Sequence, residues 1–234
     1  MARRRHSRGF TLIEVLVAIT VMALLAVLSW RGIDGLSRAR DQARLRGDEV
    51  LALQAGLAQW GVDLDAMTDR VNTTPIDWDG RALRITRRGS GTPGDGLRVA
   101  AWSRRVLADG SSWWLRWDSG PLVSIAQWRQ AWAQAALWAQ NPGEVERQRE
   151  VPVARADNWQ LFYYRNNAWS NPLSSADAAT STGAAQVPGG ITVPNATTTI
   201  PNGVRLVLGL SAGQAFAGTV TRDWVAPNVT PSQQ

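Results

Sequence analysis

The chain has 234 residues and carries 25 basic side chains against 19 acidic ones, a formal net charge of +6, with a single histidine and no cysteine. All the basic residues are arginine, so beyond His6 the chain offers no imidazole, thiol or ε-amine; this excludes most general-base, nucleophilic and Schiff-base chemistry, disulfides, and zinc sites built on Cys or His. The length suits one domain behind an anchoring segment, and only carboxylate-based catalysis survives as an enzymatic route.

The first element is a basic leader, Met1 to Gly9, holding Arg3, Arg4, Arg5 and Arg8. Without these four, basic and acidic side chains stand at 21 and 19, so most of the excess charge precedes the first helix. Such a leader is retained in the cytoplasm and directs the C-terminal bulk across the membrane. No clustered basic and aromatic patch remains to mark a nucleic-acid surface.

Phe10-Thr11-Leu12-Ile13-Glu14 opens a nearly unbroken apolar run that ends at Trp30. As a helix, residues 10–30 span roughly 30 Å, the hydrocarbon thickness of a bilayer. Glu14 is the anomaly, because a carboxylate in such a helix costs a few kcal/mol and usually marks function. A secretory peptide places its small-residue cleavage site after the apolar run. Here Ser29-Trp30-Arg31 offers none, and the well-placed small residue, Gly9, comes before it. A plain signal anchor leaves both Glu14 and the Gly9-Phe10 junction unexplained.

Gly9-Phe10-Thr11-Leu12-Ile13-Glu14, between a basic leader and an apolar helix, resembles the cleavage and methylation motif of type IV pilins and type II secretion pseudopilins. The resemblance implies cutting by a prepilin peptidase between Gly9 and Phe10, N-methylation of Phe10, and retention of the helix. It also implies that Glu14 pairs with the terminal amine of a neighbouring subunit, an arrangement that makes a buried carboxylate tolerable.

The second half of the helix, residues 31–70, is polar with one apolar stripe. Val50, Leu53, Leu57, Trp60, Leu64 and Met67 recur at steps of three and four, which predicts a helix from Phe10 to about Met67. Gly32, Gly35, Gly47, Gly56 and Gly61 each weaken it by about 1 kcal/mol relative to Ala and offer points for a bend or break. The stripe packs on the chain's own globular part, or, over Val50, Leu53, Leu57, Trp60 and Leu64, also meets a partner helix.

Residues 71–234 switch to short alternating runs and form a β-rich domain. Strands are expected at Ala82–Arg87, Leu97–Trp102, Trp113–Trp117, Trp159–Tyr164, Val204–Leu210 and Thr219–Val225, the first three as an antiparallel meander. Ile125 to Gln140 reads as a short helix ended by Asn141-Pro142-Gly143. About 174–203, and again from Ala226, the composition of Ser, Ala, Thr, Gly, Pro and Asn predicts a mobile loop and tail.

The remaining constellations have plain readings. Thirteen tryptophans suit core packing, with Trp128, Trp132 and Trp138 on one helical face beside Ala131 and Ala135, although exposed coplanar rings would make a sugar platform. Asp63, Asp65 and Asp69 read as a solvated helix end and Asp77-Trp78-Asp79-Gly80 as a turn. Both sets hold oxygen donors for calcium, without the twelve-residue loop of an EF-hand. The glycines 89, 91, 94 and 96 lack the following helix a phosphate loop needs.

Trp30-Arg31-Gly32-Ile33-Asp34-Gly35-Leu36, Trp159 to Arg165 running into Asn167 to Leu173, and Thr221-Arg222-Asp223-Trp224 are similar to segments of the J-type minor pseudopilins of type II secretion, the general secretion pathway protein J family. That resemblance implies an α+β fold, a long helix with a head of antiparallel β-sheets forming an incomplete barrel. It implies no enzyme activity and no cofactor. The implied role is structural: with the I-type and K-type minor pseudopilins the subunit starts assembly of the major pseudopilin at the tip of a periplasmic fibre that exports folded proteins. Prepilin peptidase and the inner-membrane assembly platform are the other implied partners, and the implied location is the inner membrane, single-pass, with the bulk in the periplasm. A minor type IV pilin for adhesion or DNA uptake is the alternative.

Overall fold

The computed structural model describes residues 10–89, 96–174 and 200–227. The leader, the glycine-rich segment 90–95, most of the expected 174–203 loop and the end of the tail lie outside them. The chain divides into two compact units, residues up to Asp48 and residues from Glu49. The first is helical from Leu12 on, and every described residue in it is exposed.

Helix α1 spans Leu12–Asp65 without interruption, passing through all five glycines where a break was allowed. Four of them are spaced so that an added Cβ meets nothing within 4 Å, whereas Gly56 is buried and its added Cβ lies 2.1 Å from Val153 Cγ1. This glycine permits close approach of helix and sheet.

Eight strands follow: β1 (Ile76–Trp78), β2 (Ala82–Arg88), β3 (Leu97–Val106), β4 (Ser112–Asp118), β5 (Glu150–Arg165), β6 (Ala168–Ser170), β7 (Gly203–Leu210) and β8 (Gly218–Val225). They form one antiparallel sheet in the order β1-β2-β3-β4-β5-β7-β8, with β6 on β5. The long β5 joins two halves: Glu150 to Arg155 pairs with β4, and Ala156 to Tyr164 pairs with β7. Irregularities at Trp114/Leu115 and Ala156/Asn158 interrupt the register on either side of this change of partner, and bulges of this kind increase local twist. Among the described residues β1 and β8 do not pair, so the sheet stays open, in agreement with the expected α+β head.

Helix α2 (Ile125–Gln140) has the expected bounds. Ser124 caps it by accepting from Gln127 N, and Asn141 N returns to Leu137 O at its end. A four-residue helix, α3 (Glu144–Arg147), and strands β1 and β6 were not foreseen.

Strand alternation gives β2, β3 and β4 two buried faces. Leu83, Ile85, Trp102 and Trp114 join Leu53, Trp60 and Leu64 of α1 in one cluster; Ala82, Val99, Ala101, Leu115 and Trp117 join Trp128, Ala131, Ala135 and Trp138 of α2 in a second. Trp102 stacks on Trp114 at 4.4 Å between centroids, and Trp117 on Trp138 at 6.3 Å. Thus most of the tryptophans are core, as expected. Val204, Leu206 and Leu208 of β7 extend the first cluster, while the exposed residues of β8 leave that side open.

The stripe residues Leu53, Trp60 and Leu64 are buried in this core, and Val50 and Leu57 are half-buried. Their apolar surface is taken up by the chain's own sheet, so the expected partner-helix face does not lie on Leu53, Trp60 and Leu64.

Candidate membrane and assembly site

Among the described residues one helix, α1, is long and apolar enough to cross a membrane, and none of its apolar window is buried within the chain. Thr20 Oγ1 donates to Leu16 O at 2.8 Å, which satisfies its hydroxyl inside the helix. Gly9, the residue before the expected cut, lies outside the described residues. Phe10, the residue after it, is exposed and lies two residues before the start of α1.

Glu14 has a local partner that the sequence reading missed. Its Oε2 accepts from Thr11 N and from Thr11 Oγ1, both at 2.9 Å, while Glu14 N donates to Thr11 Oγ1 at 3.4 Å. Thr11-Leu12-Ile13-Glu14 is therefore a capping box, in which side chains of the cap and of the third helical residue each satisfy an otherwise orphaned backbone N–H. The pattern Thr-x-x-Glu ahead of an apolar run was the signal available. The carboxylate also lies where the helix macrodipole favours negative charge. Within a single subunit Glu14 is thus hydrogen-bonded but has no cationic partner among the described residues.

At the other end of α1 the structure overturns the reading of Asp63 as part of a solvated helix end. Asp63 is fully buried. Arg116 grips it with two bonds, Nε to Oδ2 at 2.8 Å and Nη2 to Oδ1 at 2.9 Å; Trp102 Nε1 and Gln59 Nε2 each donate at 2.9 Å, and Arg87 adds a further ion pair. Such a carboxylate has no capacity left for calcium. Asp65 accepts from Trp224 Nε1 at 2.8 Å, Asp77 pairs with Arg84, and Asp79 Oδ1 caps the backbone N–H groups of Arg81 and Ala82. Asp65 and Asp69 are exposed, as expected of a solvated helix end, and Asp79 is exposed in its turn.

The Asp63 cluster fixes the end of α1 to β2, β3 and β4 by charge and hydrogen bonding, over and above the apolar contacts. Its strand residues, Arg87, Trp102 and Arg116, come from 24 to 53 positions away. Only the spacing Trp60, Asp63, Met67 hinted that Asp63 faces inward.

Residues 4–30 match the family of the prokaryotic N-terminal methylation motif. No curated protein matches the chain. Among solved structures it is similar to a chain of the structure described as the crystal structure of the GspK-GspI-GspJ complex from the enterotoxigenic Escherichia coli type 2 secretion system, at 15% identity over 78% of this chain and 99% of that one, with a TM-score of 0.43.

Proposed function

We propose that this chain is a minor pseudopilin of type II secretion, of the J type, with a structural and assembly role. The observation that carries the reading is the methylation motif over residues 4–30, which here joins a cleavable basic leader to an exposed apolar helix with Glu14 near its start. In this reading prepilin peptidase cuts after Gly9, Phe10 is N-methylated, and Glu14 exchanges its Thr11 bonds for the methylated amine of a neighbouring subunit. An ionised pair in that low-dielectric setting replaces a lone carboxylate, which favours one register between subunits. The protein is held in the inner membrane by a single span with its β-rich domain in the periplasm. The J-type assignment rests on the similarity of residues 30–36, 159–173 and 221–224 to that family, and brings with it the I-type and K-type minor pseudopilins, the major pseudopilin and the inner-membrane assembly platform as partners, and export of folded proteins as the outcome.

The test begins with mass spectrometry of the membrane-extracted protein. The expected species starts at N-methylated Phe10, and Gly9→Ala leaves an unprocessed precursor; a Gly9→Ala chain still beginning at Phe10 overturns the peptidase reading. A deletion strain separates pseudopilin from pilin: lost export of secreted enzymes with intact motility and DNA uptake is expected, and the reverse pattern overturns the assignment.

A further inference from the structure

We propose that the cavity at the start of β2 and the end of β3 binds an oxyanion, a carboxylate or a phosphate, carried on a small hydroxylated molecule. The inference does not depend on the reading of the amino terminus.

The cavity has a volume of about 400 Å³, and its lining includes Arg81, Arg104, Arg105, Gln140 and Asn158 but no Asp or Glu. That volume lies in the ordinary range of small-molecule sites. The strand register sets two of the arginines against each other. Ala82 pairs with Ser103 at the end of the β2–β3 ladder, and Ser103 Oγ donates to Arg81 O at 2.9 Å. One residue further along, Arg81 and Arg104 stand opposite each other, and both line the cavity. Like charges set opposite in an antiparallel pair are destabilising.

The chain answers its other sheet arginines but not these two. Arg84, Arg98, Arg105 and Arg116, all half-buried, each hold a carboxylate. Arg105 is paired with Glu150 at 2.6 Å and also donates to Trp138 O at 3.0 Å, so it brings no net charge to the cavity. Arg104, equally half-buried, holds only the hydroxyl of Ser112 at 2.6 Å among the described residues, and the exposed guanidinium of Arg81 has no partner among them. Asp79, the acid nearest in sequence, spends Oδ1 on the backbone N–H groups of Arg81 and Ala82, and its Oδ2 lies 3.9 Å from Arg84. A guanidinium has five N–H donors and takes a carboxylate or phosphate with two parallel bonds. One oxyanion between Arg81 and Arg104 therefore answers both and offsets their repulsion.

The rest of the wall points to the carrier. Gln140, the last residue of α2, and Asn158 of β5 are exposed, and their amides have no hydrogen-bond partner among the described residues. An amide offers donors and an acceptor together, which suits hydroxyl groups. A neutral saccharide leaves the two cations unanswered, and a bare inorganic anion leaves the amides to water. A sugar acid or sugar phosphate engages both sets.

The test uses the full chain in phosphatidylcholine nanodiscs and isothermal titration calorimetry with D-glucuronate, glucose 6-phosphate, glucose and inorganic phosphate. Saturable binding of glucuronate or glucose 6-phosphate is expected, and the tighter of the two identifies carboxylate or phosphate as the group held. Glucose and inorganic phosphate should each bind about tenfold more weakly, and Arg81→Gln and Arg104→Gln should each cost about tenfold in affinity for the acidic sugar, the scale of one charge-assisted hydrogen bond. Arg129→Gln, exposed on α2 and outside the lining, should change nothing. Arg81→Glu keeps the test open where Arg104→Gln perturbs β3. It sets a carboxylate opposite Arg104, so it should abolish binding while raising the midpoint of thermal unfolding. Absence of saturable binding, equal affinity for glucose, for inorganic phosphate or for the acidic peptide Ser-Asp-Glu-Ser, or undiminished binding by Arg81→Glu overturns the proposal.

Discussion

Asp63 shows how a single side chain can decide more of this molecule than its sequence neighbourhood suggests. A carboxylate buried among five donors is stable only as a complete set. Removing its charge leaves Arg87 without a carboxylate partner among the described residues and Arg116 with Asp118 alone, at 3.1 Å. Breaking one partner of such a buried pair costs about 3–5 kcal/mol, so Asp63→Asn should lower the urea midpoint of the β-rich domain strongly without changing the slope, followed by tryptophan fluorescence. A loss below about 1 kcal/mol would mean that the pairs are solvated surface bridges. Asp223 is the contrasting case. Arg205 holds it with bonds of 2.7 and 2.6 Å on the exposed face of β7 and β8, and this hydrogen bonding keeps its carboxyl below the usual carboxylate range. Because the folded value is the lower one, the pair stabilises the fold above the unfolded value near about 4 and loses its effect as pH falls through the folded value. Asp223→Asn should therefore reduce stability at neutral pH and make progressively less difference below that range; a constant difference across both conditions would reject the pairing. Thr11 belongs to the same scale: its role was readable from Thr-x-x-Glu, whereas the partners of Asp63 were not, since nothing local links positions 63, 87, 102 and 116.

Helix α2 and the central strands were legible because their signals are local: Ser124 and Asn141-Pro142-Gly143 mark the ends of α2, and turn residues separate β2, β3 and β4. The first half of β5 was not, because Val151-Pro152-Val153-Ala154-Arg155 contains a proline that demotes a strand reading. The structure tolerates it where Pro152 faces Leu115, beside the irregularity in β4, so the missing N–H falls at an already broken ladder. β1 and β6 have three residues each and too little pattern to read. Helix and sheet meet at Gly56, which the sequence offers only as a weak point. Gly56→Ala gains about 1 kcal/mol of helix propensity but drives a methyl group into Val153, and overpacking of this kind costs about 1–3 kcal/mol. The expected net effect is destabilisation, whereas Gly61→Ala, with open space around its Cβ position, should stabilise. Equilibrium unfolding of the two variants side by side checks this, and stabilisation by both would show that β5 yields at no cost.

Over the whole molecule the arginines before and after the apolar helix are closely matched. Arg3, Arg4, Arg5 and Arg8 precede it; Arg31, Arg38, Arg40, Arg44 and Arg46 follow within the distance over which positive charge governs orientation. Acidic residues count little in that rule, so Asp34, although it pairs with Arg38 at 2.7 Å, does not remove Arg38 from the comparison. The proposed orientation is therefore held by the compactness of the leader, four arginines in eight residues, and by the translocation of the large domain behind the helix. Substituting all four leader arginines by Asn should yield a mixed population with a substantial inverted fraction, while substituting any one should have little effect. The absence of cysteine makes the measurement direct. Thr219→Cys, exposed on β8, becomes the sole thiol, and its labelling by a membrane-impermeant maleimide in intact spheroplasts reports the side on which the domain lies. Full labelling in the parent and partial labelling in the fourfold variant is the expected pair of results. Unchanged full labelling in the variant would show that the folded bulk and the polar helix half orient the chain without the leader, and that the leader's charge serves recognition by the processing enzyme instead.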